Sequence, residues 1–160
     1  MMQQTADIRI ATESPLSTDL ALLFQRHVEA MHADTPPESI HMMPREALLS
    51  PAIDFFVLRR AGVPVAMGAL KRFGDADGEL KSMHVLAEQR GQGLSRRMLD
   101  HMIEHALAAG LRRLFLETGA QASFRAARGL YERAGFTDCP PFGSYRPDPN
   151  SVFMRLDLIA

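Results

Sequence analysis

The feature that most constrains this chain is a glycine-rich turn set between an apolar strand and an amphipathic helix. Residues Val85-Leu86-Ala87-Glu88-Gln89-Arg90-Gly91-Gln92-Gly93-Leu94-Ser95-Arg96 lead from one to the other. Between Gly93 and Ala109, the residues Leu94, Met98, Leu99, Met102, Ile103, Ala106 and Leu107 recur at helical spacing, and Gly110 is placed to close the helix in a left-handed cap. The next apolar run, Leu114-Phe115-Leu116, is short and continuous, as in a strand covered on both faces. Strand, helix and strand in this order predict a right-handed parallel crossover.

Upstream, Asp54 to Leu58 and Pro64 to Lys71 read as strands joined by a hairpin turn at Arg60-Ala61-Gly62. Gly74 to Gly78 forms a second turn, and Glu79 to Val85 a third strand. An antiparallel meander followed by a parallel crossover makes the sheet mixed, an α/β (α+β) architecture. Ahead of it, Asp7 to Ala11 is a short strand. Leu16-Ser17-Thr18-Asp19 supplies N-cap candidates for a helix reaching Met31, with Leu20, Leu23, Phe24, His27 and Met31 on one face. Thr35-Pro36-Pro37 breaks that pattern, and a short helix is expected after Met43-Pro44. Downstream, a helix from Ser123 to Ala134 turns Phe124, Ala127, Leu130, Tyr131 and Ala134 inward. Strands at Phe136 to Asp138 and Val152 to Leu158 follow.

Length and composition narrow the class. The 160 residues suit a single domain spanning 1–160. Hydrophobic residues at 46% and charged ones at 23% match globular usage and exclude a disordered chain. A net charge of -1 supplies no global basic field, so neither nucleic acid nor a membrane is an expected partner. Cys139 stands alone, which rules out an intrachain disulfide and suits a reducing compartment. The stretch Met1 to Leu20 lacks the basic start and apolar core of a signal peptide, and no run reaches the ~18 apolar residues of a membrane span. A cytoplasmic location is expected.

The turn at residues 90 to 96 has the chemistry of an anion cradle. Gly91 and Gly93 remove side chains that would block close approach, so backbone N–H groups and the positive end of the helix dipole can face a pyrophosphate. Arg90 and Arg96 add positive charge. A glycine turn before a helix serves backbone shape equally well, so the cradle needs context. In this sequence Arg90, Gly91, Gly93 and Ser95 occupy the positions of the Arg-Gly-x-Gly-x-(Gly/Ala) pyrophosphate loop, and the chain here resembles the GNAT superfamily of N-acetyltransferases. Ser95 departs from the usual small apolar residue but is still small enough for close approach. Further on, Leu130-Tyr131-Glu132-Arg133-Ala134-Gly135-Phe136 resembles the Leu-Tyr-Glu-x-x-Gly-Phe helix ending of the same family. The likeness covers Glu79 to Phe136. The asparagine common early in the family's fourth helix is missing, with Phe124 near that place. Neither a Gly-x-Gly-x-x-Gly fingerprint nor a Gly-Lys-Ser/Thr loop is present.

The resemblance implies an acyl-CoA N-acyltransferase fold, in which a meander precedes splayed parallel strands whose gap admits the thiol arm of acetyl-CoA. Met83, His84, Val85, Arg90, Gly91, Gln92, Gly93, Leu94, Ser95 and Arg96 would bind this co-substrate, the Val85 N–H polarising the thioester oxygen. The implied reaction is direct acetyl transfer to the amine of a small molecule, without a metal. A CoA-binding regulatory module lacking turnover is the alternative, and a homodimer stays open. Similarity places the Tyr131 hydroxyl near the sulfur as the acid for the leaving thiolate, while an inward tyrosine at this spacing also suits core packing.

A base is needed on the other side. Glu79, acting directly or through water, is the first candidate, although it also suits a solvated strand edge, and His84 and Glu117 have comparable claims. The polar segment Pro141 to Asn150 is too long for a tight hairpin and is expected to line the acceptor pocket, with Tyr145 and Arg146 as specificity residues. Arg146 suits an acceptor carboxylate, and Asp148 offers it a local partner. Two rival motifs are discounted. His101-Met102-Ile103-Glu104-His105 matches the pattern of an inverted zinc protease helix, but a solvated polar face is expected there. Cys139, followed by Pro140-Pro141, reads as a chain turn between strands.

Overall fold

The computed structural model describes residues 7–158. Residues 1–6 and 159–160 lie outside it, and with them part of the stretch read as lacking a signal peptide. Among the described residues there are seven strands, β1 (Ile8–Thr12), β2 (Ile53–Arg60), β3 (Val63–Phe73), β4 (Asp77–Val85), β5 (Arg113–Gly119), β6 (Thr137–Asp138) and β7 (Ser151–Asp157). Three α-helices accompany them, α1 (Ala21–Asp34), α2 (Leu94–Ala108) and α3 (Arg125–Arg133). The strands form one sheet in the order β1-β2-β3-β4-β5-β7-β6. Only the β4–β5 pair is parallel; the others are antiparallel, so the sheet is mixed as the sequence predicts.

Local chemistry accounts for the elements. The β2–β3 hairpin turns at Ala61 and Gly62, both at positive φ (52° and 82°), the conformation whose twist matches two antiparallel strands. The α2 helix closes on Gly110 (φ 83°), with Gly110 N–H donating to the Leu107 carbonyl and Leu111 N–H to the Ala106 carbonyl, both at 3.0 Å. Leu94, Met98, Leu99, Met102 and Ala106 are buried along it. Leu107, expected inside, is 46% exposed. The expected cap of α1 is also absent. Ser17, which precedes the opening 3-10 turn, and Leu20, which precedes α1, make no side-chain cap, and the Ser17 carbonyl accepts from Leu20 N–H (3.2 Å) and Arg45 Nη2 (2.5 Å). The helix after Pro44 is a 3-10 turn, Arg45–Leu48, with Leu48 buried.

Adjacent β2 residues show how the layers lie. Phe55 stacks on Phe24 of α1, whereas Phe56 packs against His101 and His105 of α2. Successive strand side chains point to opposite faces, so α1 and α2 cover opposite sides of the sheet. Gly135, just past α3, would place a Cβ 3.1 Å from Leu156, which pairs with Leu114 in β5. Leu114 and Leu111 in turn crowd Gly78, so α3 shares the α2 side.

Candidate active site

The parallel pair β4–β5 is short. Asp77, Gly78, Glu79 and Leu80 pair with Arg113 to Leu116, and beyond them the strands part. A bulge in β4 marks the divergence. Met67 faces His84 and Ala69 faces Lys81, so Gly68 opposes two residues, Ser82 and Met83, and Ser82 takes a left-handed φ of 56°. A Cβ on Gly68 would come within 2.8 Å of Met102 Sδ and 2.9 Å of Met83 Sδ, so any larger residue would have to displace these methionine side chains. The parting leaves a cavity of about 130 Å³ whose walls include His27, Met83, Glu79, Glu117 and Tyr131. The Leu86 N–H donates to the Val65 carbonyl at 3.0 Å. Strand N–H groups alternate between edges, so the Val85 N–H faces the edge that β5 leaves open.

At the top of β4 the turn into α2 has the features of an anion cradle. Gly91 (φ 79°) and Gly93 (φ 77°) are both left-handed, and a Cβ on either would meet nothing within 4 Å. The glycines therefore answer a backbone requirement and leave open space above. No side chain caps α2, and its first internal bond runs from Arg97 N–H to the Gly93 carbonyl at 3.1 Å. The N–H groups of Leu94, Ser95 and Arg96 thus lack intrahelical partners and point out of the helix end, where the dipole favours an anion. The side chains contribute less than expected. Leu94 is buried in the core, Arg96 pairs with Asp100 (2.9 Å), and Arg90 Nε donates to the Val85 carbonyl (3.2 Å). A residue absent from the sequence reading supports the turn instead. Arg60 Nη1, from the end of β2, donates to Gln89 Oε1 (3.0 Å) and Gln92 Oε1 (2.6 Å).

Tyr131 stands on the α3 side of the gap. Its ring is buried, lies edge-on to Phe136 at 5.7 Å, and lines the cavity, so core packing and a place in the site coexist. Among the described residues its hydroxyl makes no hydrogen bond. Burial pushes its pKa up to about 12, and the group keeps its proton at neutral pH.

The carboxylates stand on the α1 side. Glu79 is 6% exposed and is no solvated edge residue. Its Oε2 accepts from the Tyr145 hydroxyl at 2.6 Å and from Lys81 Nζ at 3.1 Å, and Lys81 Nζ also donates to Tyr145 Oη at 3.0 Å. Burial, and then the negative charge of Glu79, hold the Tyr145 hydroxyl protonated. Lys81 was not anticipated from the sequence. Glu117 also lines the cavity; burial raises its pKa, opposed by the Ser151 hydroxyl, which donates to Oε2 at 2.7 Å. His84 sits elsewhere. Buried outside the cavity wall, it packs edge-on to His27 at 5.3 Å, and burial pushes both imidazoles down to about 4.

A wider chamber of about 600 Å³ adjoins the gap and shares His41, Glu79, Lys81 and Tyr145 with it. The segment from Phe142 to Asp148 forms one wall of this chamber. Arg146 is exposed there. Asp148 does not partner it, accepting from Asn150 N–H at 2.8 Å and lying 3.9 Å from His41 Nε2.

The rival motifs resolve structurally. His101 and His105 are half-buried against the Phe56 ring at 5.5 and 4.9 Å, and His105 Nε2 meets Asp54 Oδ2 at 2.9 Å, so they do not form the solvated face expected. The Cys139 N–H donates to the Phe153 carbonyl at 2.9 Å, continuing the β6–β7 pairing by one residue where the sequence predicts a chain turn. Among the described residues no helix is long and apolar enough to cross a membrane.

Sequence comparison decides the family. The profile of the acetyltransferase (GNAT) family matches residues 20–136. The chain belongs to this family. As a GNAT acetyltransferase it uses an acyl-CoA as co-substrate. It is 44% identical over 136 residues to the uncharacterized N-acetyltransferase YsnE of Bacillus subtilis (strain 168), covering 85% of this chain and 90% of that one. It is 39% identical to an IAA acetyltransferase of Azospirillum brasilense, covering 95% and 99%. The crystal structure of a Klebsiella pneumoniae protein assigned as an acyl-CoA N-acyltransferase has the same fold, with a TM-score of 0.77 at 26% identity over 95% and 98% of the two chains.

Proposed function

We propose that this GNAT acetyltransferase, as a single cytoplasmic domain, moves the acetyl group of acetyl-CoA directly onto the amine of a small molecule. The observation that carries the proposal is the disposition of groups about the gap. A protonated Tyr131 lines it from the α3 side, and Glu79 and Glu117 line it from the α1 side. Attack of an amine on a thioester needs a proton taken from the nucleophile and one given to the leaving thiolate, from different directions.

The residue roles follow from position. The N–H groups at the start of α2 hold the pyrophosphate, and the thiol arm enters between β4 and β5. The Val85 N–H donates to the thioester oxygen as negative charge develops there. Glu79 accepts the ammonium proton, directly or through a water. The amine nitrogen bonds to the acetyl carbon, the carbon–sulfur bond breaks, Tyr131 delivers its proton to the sulfur, and the second proton released from the nitrogen restores the Tyr131 hydroxyl through water. Glu117 supports a second reading as base, because burial raises its affinity for a proton on the same side of the gap.

The test is release of free CoA from acetyl-CoA with a panel of primary amines, with the acetylated product identified by mass spectrometry. IAA is assayed beside the amines because one relative is named for it. The expected outcome is amine-dependent release that falls by about 10²-fold or more in Glu79→Gln. If Glu117→Gln alone shows that fall, the base assignment moves to Glu117. Release that stays at the amine-free rate across the panel would contradict the proposed reaction and favour a regulatory CoA-binding module.

A further inference from the structure

Sheet register fixes what surrounds Glu79 in the outer chamber. Lys71 is its direct partner across the β3–β4 pair, and Phe73 stands opposite Asp77. Directly opposed side chains have Cβ atoms about 4.5–5.5 Å apart, so a cation stands beside the carboxylate at the mouth of the gap. Glu79 is already engaged by Lys81 and Tyr145. Lys71 has no ion pair or side-chain hydrogen bond among the described residues, and neither does Arg146 on the loop opposite; both line the chamber. Its third component is aromatic. Phe142 lies 6.1 Å from Phe73 and 5.0 Å from Tyr145, ring centre to ring centre, and all three line the chamber.

We infer that the acceptor is a zwitterion, an α-amino acid with an aromatic or large apolar side chain. Its carboxylate is held by Lys71 and Arg146, its amine faces Glu79, and its side chain lies on Phe73 and Phe142. This rests on the acetyl transfer to an amine proposed above and specifies its substrate class. The chemistry is complementary at each contact. The carboxylates Glu38, Glu79 and Asp148 also line the chamber and can meet an amine, but a bare amine leaves Lys71 and Arg146 without an anion, which an amino acid supplies on the adjacent carbon. Small amino acids would leave the aromatic wall unfilled. Lys81 does not compete for the carboxylate, because its ammonium is occupied by Glu79 and Tyr145.

The experiment measures kcat/KM at saturating acetyl-CoA for phenylalanine, alanine and phenethylamine, in the parent enzyme and in Lys71→Met and Arg146→Met. Phenylalanine is expected to exceed each of the others by about tenfold or more, the discrimination of one charge-assisted contact or one filled apolar pocket. In both variants the ratio of phenylalanine to phenethylamine should fall by about tenfold, mainly through KM for phenylalanine. A thermal shift with acetyl-CoA reports whether each variant is folded; if Lys71→Met is not, Arg146→Met, at an exposed loop position, carries the test alone. Equal use of phenylalanine and phenethylamine, or a ratio unmoved in the variants, overturns the zwitterion assignment while leaving acetyl transfer intact. No turnover of any amine in the wider panel overturns both.

Discussion

The Tyr131 ring packs on Phe136 while its hydroxyl, which has no hydrogen-bond partner among the described residues, belongs to a cavity-lining side chain. Tyr131→Phe therefore keeps the packing and removes only the hydroxyl proposed as the acid. Stability should change little, acetyl-CoA affinity should stay near that of the parent, and turnover at saturating amine should fall by about 10²-fold. Chemistry must limit the rate for this to be read, which is checked by the absence of a burst of product. Unaltered turnover under those conditions would leave Tyr131 with a packing role alone. Tyr131 was legible because it sits within a contiguous motif, and Glu79 because it starts a strand leading to the cradle. Their partners were not. Tyr145 reaches Glu79 across 66 residues of sequence, and Arg60 reaches Gln89 and Gln92 across 29 and 32. Lys81 lies two residues beyond Glu79 on the same strand face, the one partner that strand alternation alone would have found.

Among the elements, α2 was the most fully legible, since an apolar stripe and a closing glycine specify both its face and its end. The errors lie at the margins of that stripe. At about 3.6 residues per turn His105 falls on the same side as Met98, which explains its packing on Phe56, and Leu107 falls nearly opposite. The bulge at Ser82 carried no signal, because nothing in a non-glycine residue announces a positive φ. The cradle at the start of α2 gives the element-scale prediction. Acetyl-CoA should raise the Tm of the parent protein, since a ligand that binds only the folded state stabilises it. In Gly93→Glu that shift should vanish, because the carboxylate enters the open space where phosphate must sit. The variant's own Tm should drop as well, reflecting a non-glycine residue at φ 77°. The informative quantity is thus the ligand-induced difference, and its persistence would refute the cradle.

For the molecule as a whole, the mixed sheet followed from the order of hairpin, meander and crossover, but the position of β7 between β5 and β6 did not. A strand that pairs with two others distant in sequence leaves no local trace. The gap between β4 and β5 was foreseen only through the family likeness; periodicity identifies strands without saying where they stop pairing. In the proposed mechanism that gap joins the Tyr131 hydroxyl on one side of the sheet to carboxylates and the outer chamber on the other, so both substrates are bound together as the acetyl group passes. Initial rates with acetyl-CoA and amine varied jointly test this most directly. Lines that intersect in the double-reciprocal plot are the expected result, since transfer occurs within a ternary complex. Parallel lines, the mark of an acetylated enzyme formed before the amine binds, would contradict the account.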